Sequence, residues 1–264
     1  CKVVCIIFYW EKNLNIKDYF NIFTYHGSGM YAFGRVFDTF KELHWFDLKR
    51  NVNTTEIKAD GYEDSRYMIY MPVYTSVCFE MIRKSFEWYT SGIRYSNPNL
   101  IPIFVDLGAG SGKTLLIANE TKFFQICVGV ELNEVLSKRS QKNLPPPPIE
   151  KSQKQISNAS VLHIHANVES VYWADQILIN IPKDRHRDIV LFAFNHNSYD
   201  CDVVTKTLDI INEKFVNSLY LYQNPTQQRA VLNAGFEEIQ RDAAPNNAHK
   251  NFKYIIYRNT KKTT

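Results

Sequence analysis

The sequence contains few of the residues that interrupt regular structure, since glycine and proline each account for only 10 of 264 residues. This composition excludes a collagen-like repeat and is unlike that of a disordered chain. An apolar content of 45% is enough for a large buried core, in one domain or one domain with an extension. The net charge of +4 is scattered along the chain, so it permits contact with nucleic acid or acidic protein without arguing for either.

Cysteines in metal-binding spacing are also missing. The five cysteines are odd in number and include no Cys-x-x-Cys pair, so the sequence predicts no zinc or other metal site. Reduced thiols are typical of a cytoplasmic protein, and a nuclear location stays open.

No apolar run approaches the length of a membrane span. The apolar run at residues 3–10 is far too short to cross a bilayer, so we expect a soluble protein without a membrane span. The chain begins with Cys1 and not with Met, which indicates a truncated or processed product.

Short apolar runs alternate with helical patterns from residue 103 onward. The runs predict parallel strands over residues 103–107, 126–131, 161–165, 188–194 and 218–223. Helical patterns cover residues 113–121, 134–144 and 203–215, with a poor helix candidate at 177–181. Residues 236–241 and 252–258 show the alternating pattern that is expected of a terminal antiparallel pair of strands. The chain therefore predicts an α/β domain with a mostly parallel sheet and helices on both faces.

The region before this alternation has a different character. Residues 1–69 are rich in aromatic residues without a clear period, and we expect them to form an α-rich N-terminal cap or extension. A helical pattern begins at residue 70, and we place the start of the main domain, residues 70–264, at that point.

A glycine-rich turn follows the first predicted strand and opens a helix. It reads Asp-Leu-Gly-Ala-Gly-Ser-Gly over residues 106–112, and glycines there let the backbone turn sharply and approach a ligand. A nucleotide-binding P-loop requires a glycine at the position of Leu107, although Lys113 and Thr114 imitate its second half. A dinucleotide site requires G-x-G-x-x-G, whereas the spacing here is G-x-G-x-G, and Asp106 would repel a pyrophosphate.

A ligand without phosphates suits this turn better. S-adenosylmethionine carries a sulfonium and an α-ammonium group, so the Asp106 carboxylate would attract it. Glu131 ends the next predicted strand, where a carboxylate can accept hydrogen bonds from both ribose hydroxyls. The sequence therefore favours S-adenosylmethionine as cofactor.

The turn and the Val-Gly-Val-Glu run at residues 128–131 resemble the first two motifs of class I S-adenosylmethionine-dependent methyltransferases. The resemblance covers about residues 70–260 and implies a Rossmann-like, seven-stranded sheet. It also implies a cofactor site at the residues of the two motifs: Asp106, Gly108, Gly110, Gly112, Glu131 and the neighbouring Leu132. Asp106 and Gly108 would lie near the methionine moiety, and Asn167 after the third strand would contact the adenine amino group through its side-chain carbonyl.

Polar residues at the end of the fourth strand are the candidates for the methyl-transfer step. Ligands bind at the carboxyl ends of strands in open parallel sheets, and residues 195–200 follow a strongly apolar strand. Asn195 is predicted to position a nitrogen nucleophile, His196 to act as a base, and Tyr199 to line the pocket or face the sulfonium. A plain polar loop is the alternative.

Two upstream segments, residues 46–54 and 67–72, resemble a poorly characterised group of class I methyltransferase-like proteins. That group also has Asn-Pro after the fifth strand, as at Asn224 and Pro225. The resemblance implies that the segment before the domain covers the pocket, with Tyr70 or Tyr74 over the cofactor.

Several acceptors stay open. The Gly-Val-Glu motif and the Asn-rich end of the fourth strand are similar to those of non-SET histone lysine methyltransferases, and Glu-Leu-Asn at residues 131–133 is similar to another lysine-methylating group. These similarities favour N-methylation of a protein side chain or small amine. The Asn-Pro-Pro-Tyr motif common in nucleic-acid methyltransferases is missing, so RNA or DNA is less favoured. A binding protein that keeps the fold without catalysis is a further alternative.

Overall fold

A single seven-stranded sheet organises the chain. The computed structural model describes residues 30–55, 73–92, 94, 97–144, 160–196, 199–243 and 253–260. The strands are β1 (Ile101–Leu107), β2 (Ile126–Glu131), β3 (Ser160–His165), β4 (Ile189–His196), β5 (Asn217–Gln223), β6 (Phe236–Ala243) and β7 (Lys253–Asn259). Their spatial order is β3-β2-β1-β4-β5-β7-β6; β7 runs antiparallel to its neighbours, and the other pairs are parallel. The predicted seven-stranded, mostly parallel sheet is confirmed.

Helices cover both faces of this sheet. The described helices are α1 (Met30–Arg50), α2 (Thr75–Ser91), α3 (Lys113–Thr121), α4 (Glu134–Asn143), α5 (Tyr172–Ile179), α6 (Cys201–Lys214) and α7 (Gln228–Asn233), with a 3-10 helix at Lys183–Asp188. One core cluster joins the sheet to α5, α6 and α7, and a second joins it to α2 and α3. We call these two sides of the sheet the α6 face and the α2 face.

Apart from polar residues near their carboxyl ends, the central strands are apolar because both of their faces are covered. In β1, Ile103, Val105 and Leu107 pack on the α6 face, whereas Phe104 packs on the α2 face. Every residue of β1 is buried, which explains why its sequence shows a continuous apolar run instead of alternation.

The bounds of two helices differ from what the sequence indicated. α1 spans 21 residues in a region without a clear apolar period, and it gives the N-terminal part the predicted helical character. The helix predicted over residues 177–181 lies earlier, at Tyr172–Ile179, because buried Trp173 anchors its first turn. The Trp173 indole N–H donates to the Val168 carbonyl over 3.0 Å.

The predicted domain boundary at residues 69–70 lies outside the described residues and stays a prediction. Within the described part of the chain, no helix combines the length and apolarity that crossing a membrane requires.

Candidate active site

The glycine turn between β1 and α3 adopts the backbone geometry that its three glycines permit. Gly108, Gly110 and Gly112 have φ values of 83°, 52° and 86°, in the left-handed region that glycine enters at little cost. The N–H groups of Gly108 and Ala109 both donate to the Val130 carbonyl over 2.9 Å, so the turn is fixed to the end of β2.

Gly112 is also required by packing. A Cβ atom at this position would lie 2.5 Å from the Ser140 hydroxyl oxygen, because α4 passes directly beside the turn. The first turn of α3 begins here, and Gly112 supplies no side-chain cap to its N–H groups. The glycine turn is therefore held closely between β2 and α4.

Glu131 lies buried against the same turn. One carboxylate oxygen accepts from the Gly110 N–H and the other from the Asn133 N–H, each over 2.7 Å. The residue is only 1% exposed. The Glu131 carboxylate is therefore held by backbone N–H groups of the glycine turn and of the segment after β2.

Asp106 is the second buried carboxylic acid at this edge, with 3% exposure. Burial raises the pKa of Asp106 well above its usual value, and the charge of Glu131 raises it further. A hydrogen bond from the Thr114 side chain opposes this shift. Burial and the charge of Glu131 thus favour the protonated form of Asp106, whereas a cationic ligand would favour its ionised form.

Lys113 points to the N-terminal helix. Its ammonium donates to the carbonyl oxygens of Glu42 and Leu43 in α1 over 2.7 and 3.2 Å, and it lies 5.2 Å from the centre of the Phe46 ring. Burial lowers the pKa of Lys113 to about 8. Lys113, whose position in the sequence resembles that of a P-loop lysine, thus connects α1 to the start of α3.

The segment after α1 is fixed to the same region. Asn143 of α4 donates to the carbonyls of Asn53 and Ser111 over 2.8 and 3.0 Å, and its own carbonyl accepts from the Asn53 N–H over 3.2 Å. Buried Asp47 accepts from the Thr54 N–H over 2.7 Å and from the Thr54 hydroxyl. The upstream segment at residues 46–54 therefore lies against the glycine turn.

Leu132 and Asn167, two of the residues predicted to bind the cofactor, lie after β2 and β3 respectively. Leu132 is 37% exposed, and its carbonyl lies 2.9 Å from Nε2 of His165. The side-chain carbonyl of Asn167 accepts from the Glu169 N–H over 2.8 Å, so one of its two lone pairs is used within the loop. The adenine contact stays a prediction.

The candidate residues at the end of β4 lie on different faces of the sheet. Asn195 is fully buried on the α6 face, where its amide donates to the Tyr220 hydroxyl over 2.8 Å. Tyr199 is 6% exposed and belongs to the core cluster of that face. His196 follows Phe192 and Phe194 in the strand alternation and lies on the α2 face, as Asp106 does. The roles of these three residues stay predictions.

His196 is held as a neutral ring. Burial lowers the pKa of His196 to about 4. Its Nε2 lies 3.2 Å from Nδ2 of Asn224, so the neutral ring accepts from that amide. Asn224 itself has a φ of 49°. The Asn-Pro sequence after β5 thus brings a polar side chain to the end of β4.

Sequence reasoning missed Gln223, the last residue of β5. It is fully buried and pairs with His196 in the β4–β5 register. Asn195 was chosen as a candidate because it is a polar residue at the end of an apolar strand. The same criterion applies to Gln223. Tyr70, predicted to cover the cofactor, lies outside the described residues.

The chain matches no protein-family model and no curated protein sequence. It is similar in structure to the magnesium protoporphyrin IX methyltransferase of Synechocystis PCC 6803 with bound S-adenosylmethionine, at 9% identity and a TM-score of 0.44 over 85% of this chain and 96% of that one. A precorrin-6y C5,15-methyltransferase of Geobacter metallireducens GS-15 matches at 14% identity and a TM-score of 0.41, over 80% of this chain and 100% of that one. An S-adenosylmethionine-dependent methyltransferase of Leishmania major matches at 11% identity and a TM-score of 0.44, over 69% and 72%. At these scores the likenesses assign neither a ligand nor an activity to this chain.

Proposed function

We propose that this chain is an S-adenosylmethionine-dependent methyltransferase. The observation that carries the proposal is the pair of buried carboxylic acids beside the glycine turn. Burial and the charge of Glu131 raise the pKa of Asp106, and Glu131 accepts from the turn itself. A sulfonium and an ammonium group would compensate this acidic pair, and the Glu131 carboxylate would accept from the ribose hydroxyls.

The surroundings of Lys113 argue against a nucleoside triphosphate. A phosphate-binding lysine has to reach the phosphates, whereas the Lys113 ammonium donates to two carbonyls of α1. A triphosphate would also lie beside the buried Glu131 carboxylate, and like charges repel strongly at such a site. These contacts favour a cationic cofactor over a phosphorylated one.

The acceptor would lie beside β4 on the α2 face, which Asp106 and His196 share. Bound S-adenosylmethionine supplies an electrophilic methyl group, and its transfer mainly requires a nucleophile held in line. We propose that the neutral His196 ring lies beside the acceptor, and that its Nε2 exchanges the hydrogen bond from Asn224 for one from an amine nitrogen of the acceptor. Asn195 and Tyr199, predicted to contact the acceptor, would act from the other face by fixing the end of β4 through Tyr220 and the core.

N-methylation of a protein side chain or small amine fits a neutral histidine at this position. A binding protein that has lost catalysis is the main competing function, because Asn195 is used in an internal hydrogen bond. RNA or DNA methylation is the third candidate, and the scattered charge of +4 gives it little support.

Calorimetry and a turnover assay test the proposal together. We expect the chain to bind S-adenosylmethionine, to show no affinity for ATP, and to release S-adenosylhomocysteine in the presence of peptide or amine acceptors. Binding without turnover on any acceptor class would support the non-catalytic function. Affinity for ATP that is lost in Lys113→Ala would contradict the proposal.

A further inference from the structure

The side chain of Gln223 is a buried amide without a partner. It has no exposed surface, and among the described residues neither its Oε1 nor its Nε2 has a hydrogen-bond partner. Buried polar groups in native proteins are nearly always paired, and an unpaired one indicates strain, a catalytic role or a missing ligand. Gln223 lies in a regular strand with parallel and antiparallel neighbours, so an irregular backbone does not account for it.

The position of Gln223 connects it to the candidate active site. Leu219 and Leu221 of the same strand pack on the α2 face, so alternation places Gln223 on that face too. His196 is its register partner on β4, and Asp106 lies on β1, the next strand along. The carboxyl ends of β1, β4 and β5 thus present an acid, a neutral imidazole and an amide in a row on one face of the sheet.

This order separates a cofactor side from an acceptor side. The proposed sulfonium site lies at Asp106, at one end of the row, and Gln223 lies at the other end, beyond His196. A group bound to Gln223 would therefore approach His196 from the side away from the cofactor.

The chemistry of a carboxamide defines what can pair with it. Gln223 offers an acceptor oxygen beside an N–H₂ donor, and both are unused. A lysine ammonium has only donors, so it would leave the Nε2 donors unpaired, whereas a second carboxamide can satisfy both atoms at once.

Resting on the proposed methyltransferase function, we propose that Gln223 is a specificity-determining residue that binds a carboxamide of the methyl acceptor. Because Gln223 has no exposed surface, an acceptor group reaches its amide only after a local rearrangement of the residues packed on it. An acceptor without such a carboxamide leaves a buried amide unpaired and is rejected for that reason.

The first test measures stability and needs no ligand. In Gln223→Met the unpaired amide is replaced by an apolar side chain of similar length, so we expect a melting temperature equal to or above that of the wild type. Gln240→Met, at a half-buried position in β6, is the matched control for the substitution itself. A clear fall in melting temperature for Gln223→Met alone would mean that the amide has a structural partner, and would overturn the proposal.

The second test measures recognition by ligand-observed NMR, with and without S-adenosylhomocysteine. The probes are the N-acetyl methylamides of glutamine, methionine and lysine. We expect the wild type to bind the glutamine probe at least tenfold more tightly than the other two, and Gln223→Met to lose this preference. Equal binding of the three probes to the wild type, or a preference that survives in Gln223→Met, would overturn the proposal. The stability test and the probe titration without cofactor do not depend on cofactor binding. Failure to bind S-adenosylmethionine would therefore refute the proposed function without deciding the role of Gln223.

Discussion

The two halves of the carboxyl edge of the sheet differ in how the last residue of β2 and the last residue of β5 are paired. In the β1–β2 half, Glu131 accepts from two backbone N–H groups, and the glycine turn is tied to β2 by two more. In the β4–β5 half, Gln223 has no partner among the described residues. This difference indicates a preorganised cofactor half and an acceptor half that the substrate completes.

The described N-terminal residues support the first half. Lys113 donates to carbonyls of α1, and Asn143 joins the segment after α1 to the glycine turn. Rigid support of this kind holds binding groups in place before the ligand arrives, which lowers the entropic cost of binding.

The largest expected effect is that of Glu131→Ala. It removes a buried acceptor of charged hydrogen bonds, so S-adenosylmethionine should bind about 1.5–3 kcal/mol more weakly, roughly 10- to 150-fold in affinity. Calorimetry measures the change, with Glu213→Ala as a control because that side chain is 70% exposed. If Glu131→Ala bound S-adenosylmethionine as tightly as the wild type, the ribose contact would be disproved. The proposed difference between the two halves of the sheet edge would then be lost.

The next effect is a pH dependence that belongs to Asp106. Its pKa is raised in the folded protein, so the folded state binds more protons than the unfolded one and the stability contributed by Asp106 falls as pH rises. A cationic cofactor binds the ionised acid, so its affinity should increase up to tenfold per pH unit below that pKa and then level off. Titrations over a pH series should show this slope in the wild type and lose it in Asp106→Asn, after correction for the titration of the ligand. A slope shared by both proteins would assign it to another group.

The smallest effect is expected for Asn143, which holds the glycine turn. Asn143→Ala removes hydrogen bonds to Asn53 and Ser111, each contributing about 1 kcal/mol, so we expect lower thermal stability and a few-fold weaker cofactor binding. Asn180→Ala is the control, because the Asn180 amide donates to a backbone carbonyl on the exposed end of α5. If Asn143→Ala lowers stability without changing cofactor affinity, the segment after α1 does not support the site.

The sequence predicted the sheet and the glycine turn well because both depend on local pattern. Buried parallel strands are continuous apolar runs, and a glycine turn between a strand and a helix has a recognisable spacing. The sequence predicted an α-rich N-terminal part but not the bounds of helix α1, since aromatic residues and Gly34 obscure its period.

The side-chain partners could not be predicted in the same way. Lys113 follows the glycine turn as a P-loop lysine does, and only tertiary structure shows that its ammonium reaches α1. Asn195 and His196 are neighbours in sequence, yet strand alternation places them on opposite faces, with different partners. Gln223 resembles an ordinary strand end until its burial and lack of partners are known.

The most direct test of the central claim is a crystal structure of the chain with S-adenosylmethionine. The account predicts that the Glu131 carboxylate accepts from the ribose hydroxyls while the sulfonium and ammonium groups lie on the Asp106 side of the glycine turn. A cofactor bound elsewhere, with Glu131 contacting only Gly110 and Asn133, would contradict it.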